Sequence, residues 1–318
     1  MMRSAALAAV GVLLLAGAFL LARQVDRPLA ADAVGAIGDH AAAGTQAIQE
    51  DVPSAPATPV PATPVAETVT GLAGLEAQVE QLLEGASATG AVSLIELDGP
   101  NPQAWDVDGD QRFVAASTYK QPVLMEDAQN IAAGRANPND SLCYQSTDWE
   151  DGYFSDYTDG RCYRRSELER RVGLYSDNTA AHILVRYDGG TAALNAYARA
   201  HGASESAFYY PNTTTSNDLA RLWANEAAGQ AGGAAAQQYL YPLLTHTAYE
   251  RGVPAGVPAG TTVVHKVGFI NGYLHDSALV TSGPNGPYVL SVLTNGSTSG
   301  WTVLANISQA VWSYESSR

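Results

Sequence analysis

Lysine is nearly missing from this chain: two residues, Lys120 and Lys266, stand against 15 arginines. Basic residues as a class are few, 17 against 32 acidic, for a net charge of −15. Such a surface repels phosphate and argues against nucleic acid as a partner. Only two cysteines, Cys143 and Cys162, are present, and no Cys/His run has zinc-type spacing. No GxGxxG or GxxxxGK[ST] run offers a cradle for phosphates, so neither a metal nor a nucleotide cofactor is expected. Charged residues make up 15% and hydrophobic ones 46% of 318 residues, enough to bury a sizeable core.

One long apolar run exists. Residues 4–22, SAALAAVGVLLLAGAFLLA, follow Arg3 without a charge. At roughly 1.5 Å per residue they span about one bilayer, and they are long for a signal-peptide core. An uncleaved membrane anchor over 1–23 is expected, with AADA at 30–33 as the alternative cleavage site. No cysteine lies near it, so a lipid-modified N-terminus is not expected. Residues 24–70 are rich in Ala, Pro and Thr and end in VPSAPATPVPATPVAETVT. Prolines this dense remove amide donors and keep the chain extended, which makes the stretch a linker. The domain at 71–318 is thus expected outside the cytoplasm, at a cell surface or in a periplasm. There Cys143 and Cys162 read as a disulfide, with a loop closure that stabilises by roughly 3 kcal/mol. The run between them, CYQSTDWEDGYFSDYTDGRC, is acidic and aromatic. It reads either as a solvated insertion or as a lip over a site, touching it through Tyr153, Phe154 and Tyr157.

Periodicity predicts a helix over 72–85, strands in AVSLIEL and QAWDVDGDQRF, and a helix opening at Ser117. DVDGD is better read as a hairpin turn than as a calcium loop, since its glycine is misplaced and no closing glutamate follows. Helices follow over 166–187, 191–201 and 216–228. Three strands, TTVVHKVGF, LHDSALVTS and YVLSVLTNG, precede a closing helix in NISQAVWSYES. Strands at both ends with helices between predict one α+β domain whose sheet unites the two ends of the chain.

Within the Ser117 helix, Lys120 falls one turn on, on the same face. A serine hydroxyl is a weak nucleophile until a neighbour takes its proton. A lysine near its reference pKa of about 10.4 is neutral in only about one molecule in 2,500 at pH 7. Burial and a nearby cation bring it towards about 7 or 8, where it serves as a base. Arginine stays protonated and cannot do this. A lone S-x-x-K carries little weight, but Ser176-Asp177-Asn178 heads a later helical pattern and Lys266 begins a Lys-x-Gly in a predicted strand. Both lysines of the chain therefore fall in one ordered trio of motifs.

At these residues the sequence resembles the class A β-lactamase family. FVAASTYK is similar to the family's F-x-x-x-S-T-F-K helix start, SELERRVGLYSDNTAAHILV to its helix running into S-D-N-T-A-A, NTTTSNDLARLW to its D-T-T-T helix start, and VVHKVGFINGYLHDSALV to the strand pair around K-T-G. The resemblance runs from about residue 70 to the C-terminus. It implies a β-lactamase/transpeptidase-like fold, in which an antiparallel sheet of N- and C-terminal strands carries a helical subdomain inserted between them. It further implies Ser117 as the acylated nucleophile, Lys120 as its base, Ser176 as a proton relay and Lys266 as the adjoining positive charge. Asn178, Gly268 and Phe269 would bind substrate, with the amides of Ser117 and Phe269 holding the oxyanion. Asp177 would be structural. The substrate would be a β-lactam or a cell-wall peptide, and the catalytic domain a monomer.

The sequence departs from that family at four places. The family's deacylating glutamate lies on a long loop before D-T-T-T, whereas here only GASESAFYYPNTTT (202–215) intervenes, with Glu205 its single acid. The asparagine expected after SDNTAA is His182, read as a satisfied core histidine or as a substitute base. The carboxylate-binding threonine of K-T-G is Val267, and the arginine often preceding H-D is Leu274. Losing such partners costs about 1–3 kcal/mol each. Three functions follow as expectations: a β-lactamase-like serine hydrolase with slow deacylation, a D-alanyl-D-alanine peptidase, and a catalytically weak or inactive cell-surface binding module.

Overall fold

The computed structural model describes residues 71–318. The anchor and linker expected over 1–23 and 24–70 lie outside the described residues. No helix among the described residues is long and apolar enough to cross a membrane.

The frame is a five-stranded antiparallel sheet in the order β2-β1-β9-β8-β7. Its strands are β1 (Thr89–Glu96), β2 (Ala104–Val107), β7 (Val263–Ile270), β8 (Tyr273–Val280) and β9 (Tyr288–Asn295). The last strand of the chain pairs along the full length of the first, from Thr89↔Asn295 to Glu96↔Tyr288. β9 is buried along nearly its whole length, because both faces of the sheet are covered. Period-two alternation divides its side chains between two cores. Val289 and Leu293 face the helical part of the chain, while Leu290 and Val292 face the two terminal helices. Those are α1 (Gly71–Gly85), buried through Leu75, Val79 and Leu83, and α8 (Trp301–Ser316).

The chain leaves the sheet through β3 (Phe113–Val114), a 3-10 turn (Ala116–Tyr119) and α2 (Lys120–Ala132), and re-enters it at β7. α2 is the axis of the helical part, buried continuously from Lys120 to Met125, as a helix packed on all sides must be. Around it lie α3 (Arg165–Tyr175), α4 (Asn178–Tyr187), α5 (Gly190–Ala200), α6 (Ser216–Ala227) and α7 (Gly233–Leu240). β4 (Ser141–Cys143) and β5 (Cys162–Arg164) form a two-stranded clip, in which Cys143 pairs with Cys162 and is joined to it by a disulfide. β6 (Thr213–Thr214) pairs with β3.

Two expectations need correction, and one helix was not predicted. The helix predicted over 166–187 is two helices, broken where Ser176 takes a left-handed φ of +59° and Asp177 caps α4 by accepting from the Ala180 amide at 2.8 Å. α7 lies in an Ala/Gln stretch too weakly patterned to have been predicted. DVDGD does form a turn, closed by the Gly109 amide on Asp106 Oδ1, but it leads away from the sheet instead of joining two paired strands.

Candidate active site

Ser117 sits in the 3-10 turn that opens α2, behind Ala116, a non-glycine residue at φ +48°. Its Oγ lies 2.9 Å from Lys120 Nζ, one turn on. Ser176 arrives from the break between α3 and α4, with its carbonyl 2.6 Å and its hydroxyl 3.3 Å from the same amine. Asn178, the first residue of α4, places Oδ1 2.5 Å from Lys120 Nζ. From β7, Lys266 Nζ donates to Ser176 Oγ at 2.9 Å and to the Val267 carbonyl at 2.9 Å. The three sequence motifs therefore meet at two serine hydroxyls and two amines.

β7 is an edge strand, and Gly268 is where its backbone meets the Ser117 turn. A Cβ there would stand 2.8 Å from the Ala115 carbonyl and the Thr118 amide, and 3.0 Å from the Ser117 amide. These atoms are backbone and cannot yield, so only glycine permits the approach. Phe269 follows, its ring edge-on to Tyr249 and Trp301 at 5.4 and 5.9 Å. Val267, on the same face of β7 as Phe269 and opposite Lys266 and Gly268, turns into the core shared with Val253 and Trp301, and presents no hydroxyl to a substrate carboxylate.

Lys120 is completely buried. Burial lowers its pKa to about 7, against the opposing charges of Glu150 and Asp177. Its hydrogen bonds suit both protonation states. The Ser176 carbonyl can only accept, and Asn178 presents Oδ1 because its Nδ2 donates to the Asp151 carbonyl at 2.6 Å. Those two acceptors take two positions of the amine, and the third, an N–H in the ammonium and the lone pair in the neutral amine, faces Ser117 Oγ, with Ser176 Oγ at a longer 3.3 Å. Lys266 is buried too, and desolvation and then the Lys120 charge both push its ammonium down. With both amines bonded to one hydroxyl, a neutral Lys120 is the condition under which Lys266 best keeps a proton.

The disulfide loop closes one side, with its Asp151 carbonyl on Asn178. Buried Asp177 accepts from the Tyr157 hydroxyl at 2.5 Å and the Phe154 amide at 2.9 Å, besides capping α4. Tyr153 packs at a tilt against Tyr175 at 4.6 Å, and Phe154 meets the same ring edge-on at 5.3 Å. The aromatics thus anchor the loop beneath the site's rim. Sequence reasoning missed Glu150, which the loop brings to His182, with Oε2 and Nε2 2.8 Å apart. The signal available was a histidine replacing asparagine in α4 together with an acidic run framed by two cysteines. Glu205, the one acid of the 202–215 segment, is tied to Arg112 at 2.6 Å instead. Among the described residues no group of His, Cys, Asp and Glu is arranged to hold a metal ion.

This architecture is the β-lactamase/transpeptidase-like fold, shared with solved structures over three quarters of the chain. PBP-A, in a leucine-to-glutamate variant captured as an acyl-enzyme complex with penicillin G, superposes with a TM-score of 0.70 at 24% identity, covering 77% of this chain and 97% of that one. An ancestral class A β-lactamase gives 0.68 at 23% identity over 74% and 98%. The β-lactamase of Sphaerobacter thermophilus gives 0.68 at 23% over 76% and 96%. No curated protein matches the chain. The β-lactamase enzyme family model matches residues 74–314, and the chain belongs to that family.

Proposed function

We propose that this protein is an exported serine hydrolase that forms an acyl-enzyme at Ser117 with β-lactams or related amides and releases it slowly. The observation that carries the reading is Lys120: a buried amine with two acceptor-only partners and its remaining valence directed at Ser117 Oγ, 2.9 Å away. Neutral Lys120 takes the Ser117 proton as Oγ attacks the carbonyl carbon. The Ser117 and Phe269 amides receive the oxyanion, a contribution of roughly 3–4 kcal/mol per donor. As the C–N bond breaks, Ser176 gives its proton to the leaving nitrogen and regains one from Lys120. Lys266 stabilises the oxygen between them. Asn178 is the amide donor for the substrate side chain, and Val267 and Leu274 make a poor seat for a carboxylate. Export is supported by the apolar run at 4–22 and the Cys143–Cys162 disulfide.

Slow release is supported by the short segment before α6, whose single acid, Glu205, is tied to Arg112 at 2.6 Å. Nitrocefin is expected to give a burst of about one equivalent per enzyme followed by a slow phase. The same burst from S117A protein would remove the reading. The missing loop acid also favours a second reading, a D-alanyl-D-alanine peptidase, distinguished by release of D-alanine from a muropeptide.

A further inference from the structure

A Ser117 ester needs a group to take a proton from the water that hydrolyses it, and the following rests on the acyl-enzyme reading above. We propose that Glu150, sharing a proton with His182, is that base, so that the disulfide loop supplies what the 202–215 segment does not.

Glu150 is not at a free loop tip. Its amide donates to Thr179 Oγ1 at 3.1 Å and its carbonyl accepts from the same hydroxyl at 2.8 Å. The next carbonyl, that of Asp151, holds Asn178. Gly152 then runs so close that a Cβ would stand 3.0 Å from the Asn178 amide. The backbone of Glu150 is thereby fixed beside the residue that touches Lys120.

Its side chain is placed just as firmly. His182 Nδ1 faces the Asp148 carbonyl at 3.0 Å, which can only accept, so Nδ1 carries a proton and Nε2 is left to Glu150. The carboxylate of Asp148 is occupied by Arg186 at 2.7 and 2.8 Å and does not compete for the ring. The ring meets Tyr209 edge-on at 4.9 Å, Tyr209 meets Tyr119 at 5.8 Å, and Tyr119 precedes Lys120. Three residues after Tyr209, Asn212 donates to the Ala116 carbonyl at 2.8 Å. The pair thus borders the short segment on the Ser117–Lys120 side. The Glu150 carboxyl is held below its ordinary range, first by the His182 hydrogen bond, and its charge is felt at Lys120.

Three other nearby carboxylates are committed: Asp177 to three hydrogen bonds in the interior, Asp148 to Arg186, Glu205 to Arg112. Glu150 alone of these has an imidazole as partner, and its side chain is 53% exposed, within reach of water. In the proposed step, water oxygen bonds to the ester carbon and its proton passes to the Glu150–His182 pair. The C–Oγ bond then breaks, Ser117 Oγ takes a proton from the pair by way of Lys120, and the acid departs. Water has then been added across the ester, with no proton gained or lost by the protein.

The test is to load wild-type, E150Q and H182Q proteins with penicillin G and follow the Ser117 adduct by intact mass, recording its formation and its decay separately. Adduct should form on all three, with formation rates within about threefold, while decay slows on the order of 100-fold in E150Q and also slows in H182Q. A merely structural role would slow formation as much as decay. Decay at the wild-type rate in both variants overturns the assignment, as does E150Q protein that no longer acylates beside H182Q protein that decays normally. Wild-type protein that forms no adduct instead removes the acyl-enzyme reading on which this one rests.

Discussion

At the scale of single residues, the chemistry turns on which of two buried amines is neutral. In the proposed mechanism Lys120 acts without its proton, and burial lowers its pKa to about 7. Acylation should therefore rise with pH through about 7 and level off above it, and stopped-flow acylation rates across that range check this. K120R keeps a cation at the position but removes the lone pair, and acylation should fall by roughly 10²–10⁴-fold. Ser117, Lys120, Ser176, Asn178 and Lys266 were legible as a set because two scarce lysines fell in motifs whose chemistry arginine cannot perform. What drives Lys120 down was only half legible: burial does it, whereas the second cation is instead a group that Lys120 itself perturbs. Glu150 was not legible, since an acid in an acid-rich insertion looks solvated until the loop's path over α4 is known.

At the scale of elements, apolar periodicity located the sheet strands well, because a sheet covered on both faces writes long apolar runs such as YVLSVLTN. It failed where backbone conformation, not patterning, sets the boundary. The pattern over 166–187 continues through Ser176, and only the left-handed turn with its Asp177 cap divides it. A polar device in the strands yields a prediction of its own. Fully buried His265 on β7 is 2.9 Å from Asp276 and 3.1 Å from Glu250, one carboxylate on each ring nitrogen. Burial pushes the imidazolium down, but the two carboxylates outweigh it and raise the pKa from the ordinary 6.5 to about 9. A folded-state pKa above the unfolded one contributes stability that is present below about 6.5 and lost as pH rises through about 9. Thermal midpoints should fall over that window, and H265N protein should lose this part of the dependence.

At the scale of the whole molecule, the sheet brings chain segments far apart in sequence to one place: β7 supplies Lys266 and Gly268, the α2 entry supplies Ser117 and Lys120, and the α3–α4 break supplies Ser176 and Asn178. The α+β class was legible from strands at both ends of the domain with helices between. The placement of the disulfide loop was not, since its position depends on tertiary contacts with Asp177 and Asn178. The account's central claim is that Ser117 is acylated with Lys120 as its base, and intact mass after incubation with penicillin G tests it most directly. Wild-type protein should gain the mass of one penicillin, mapped to the peptide containing Ser117, and S117A protein should gain none. An unmodified wild-type mass, or an adduct that persists in S117A, would contradict it.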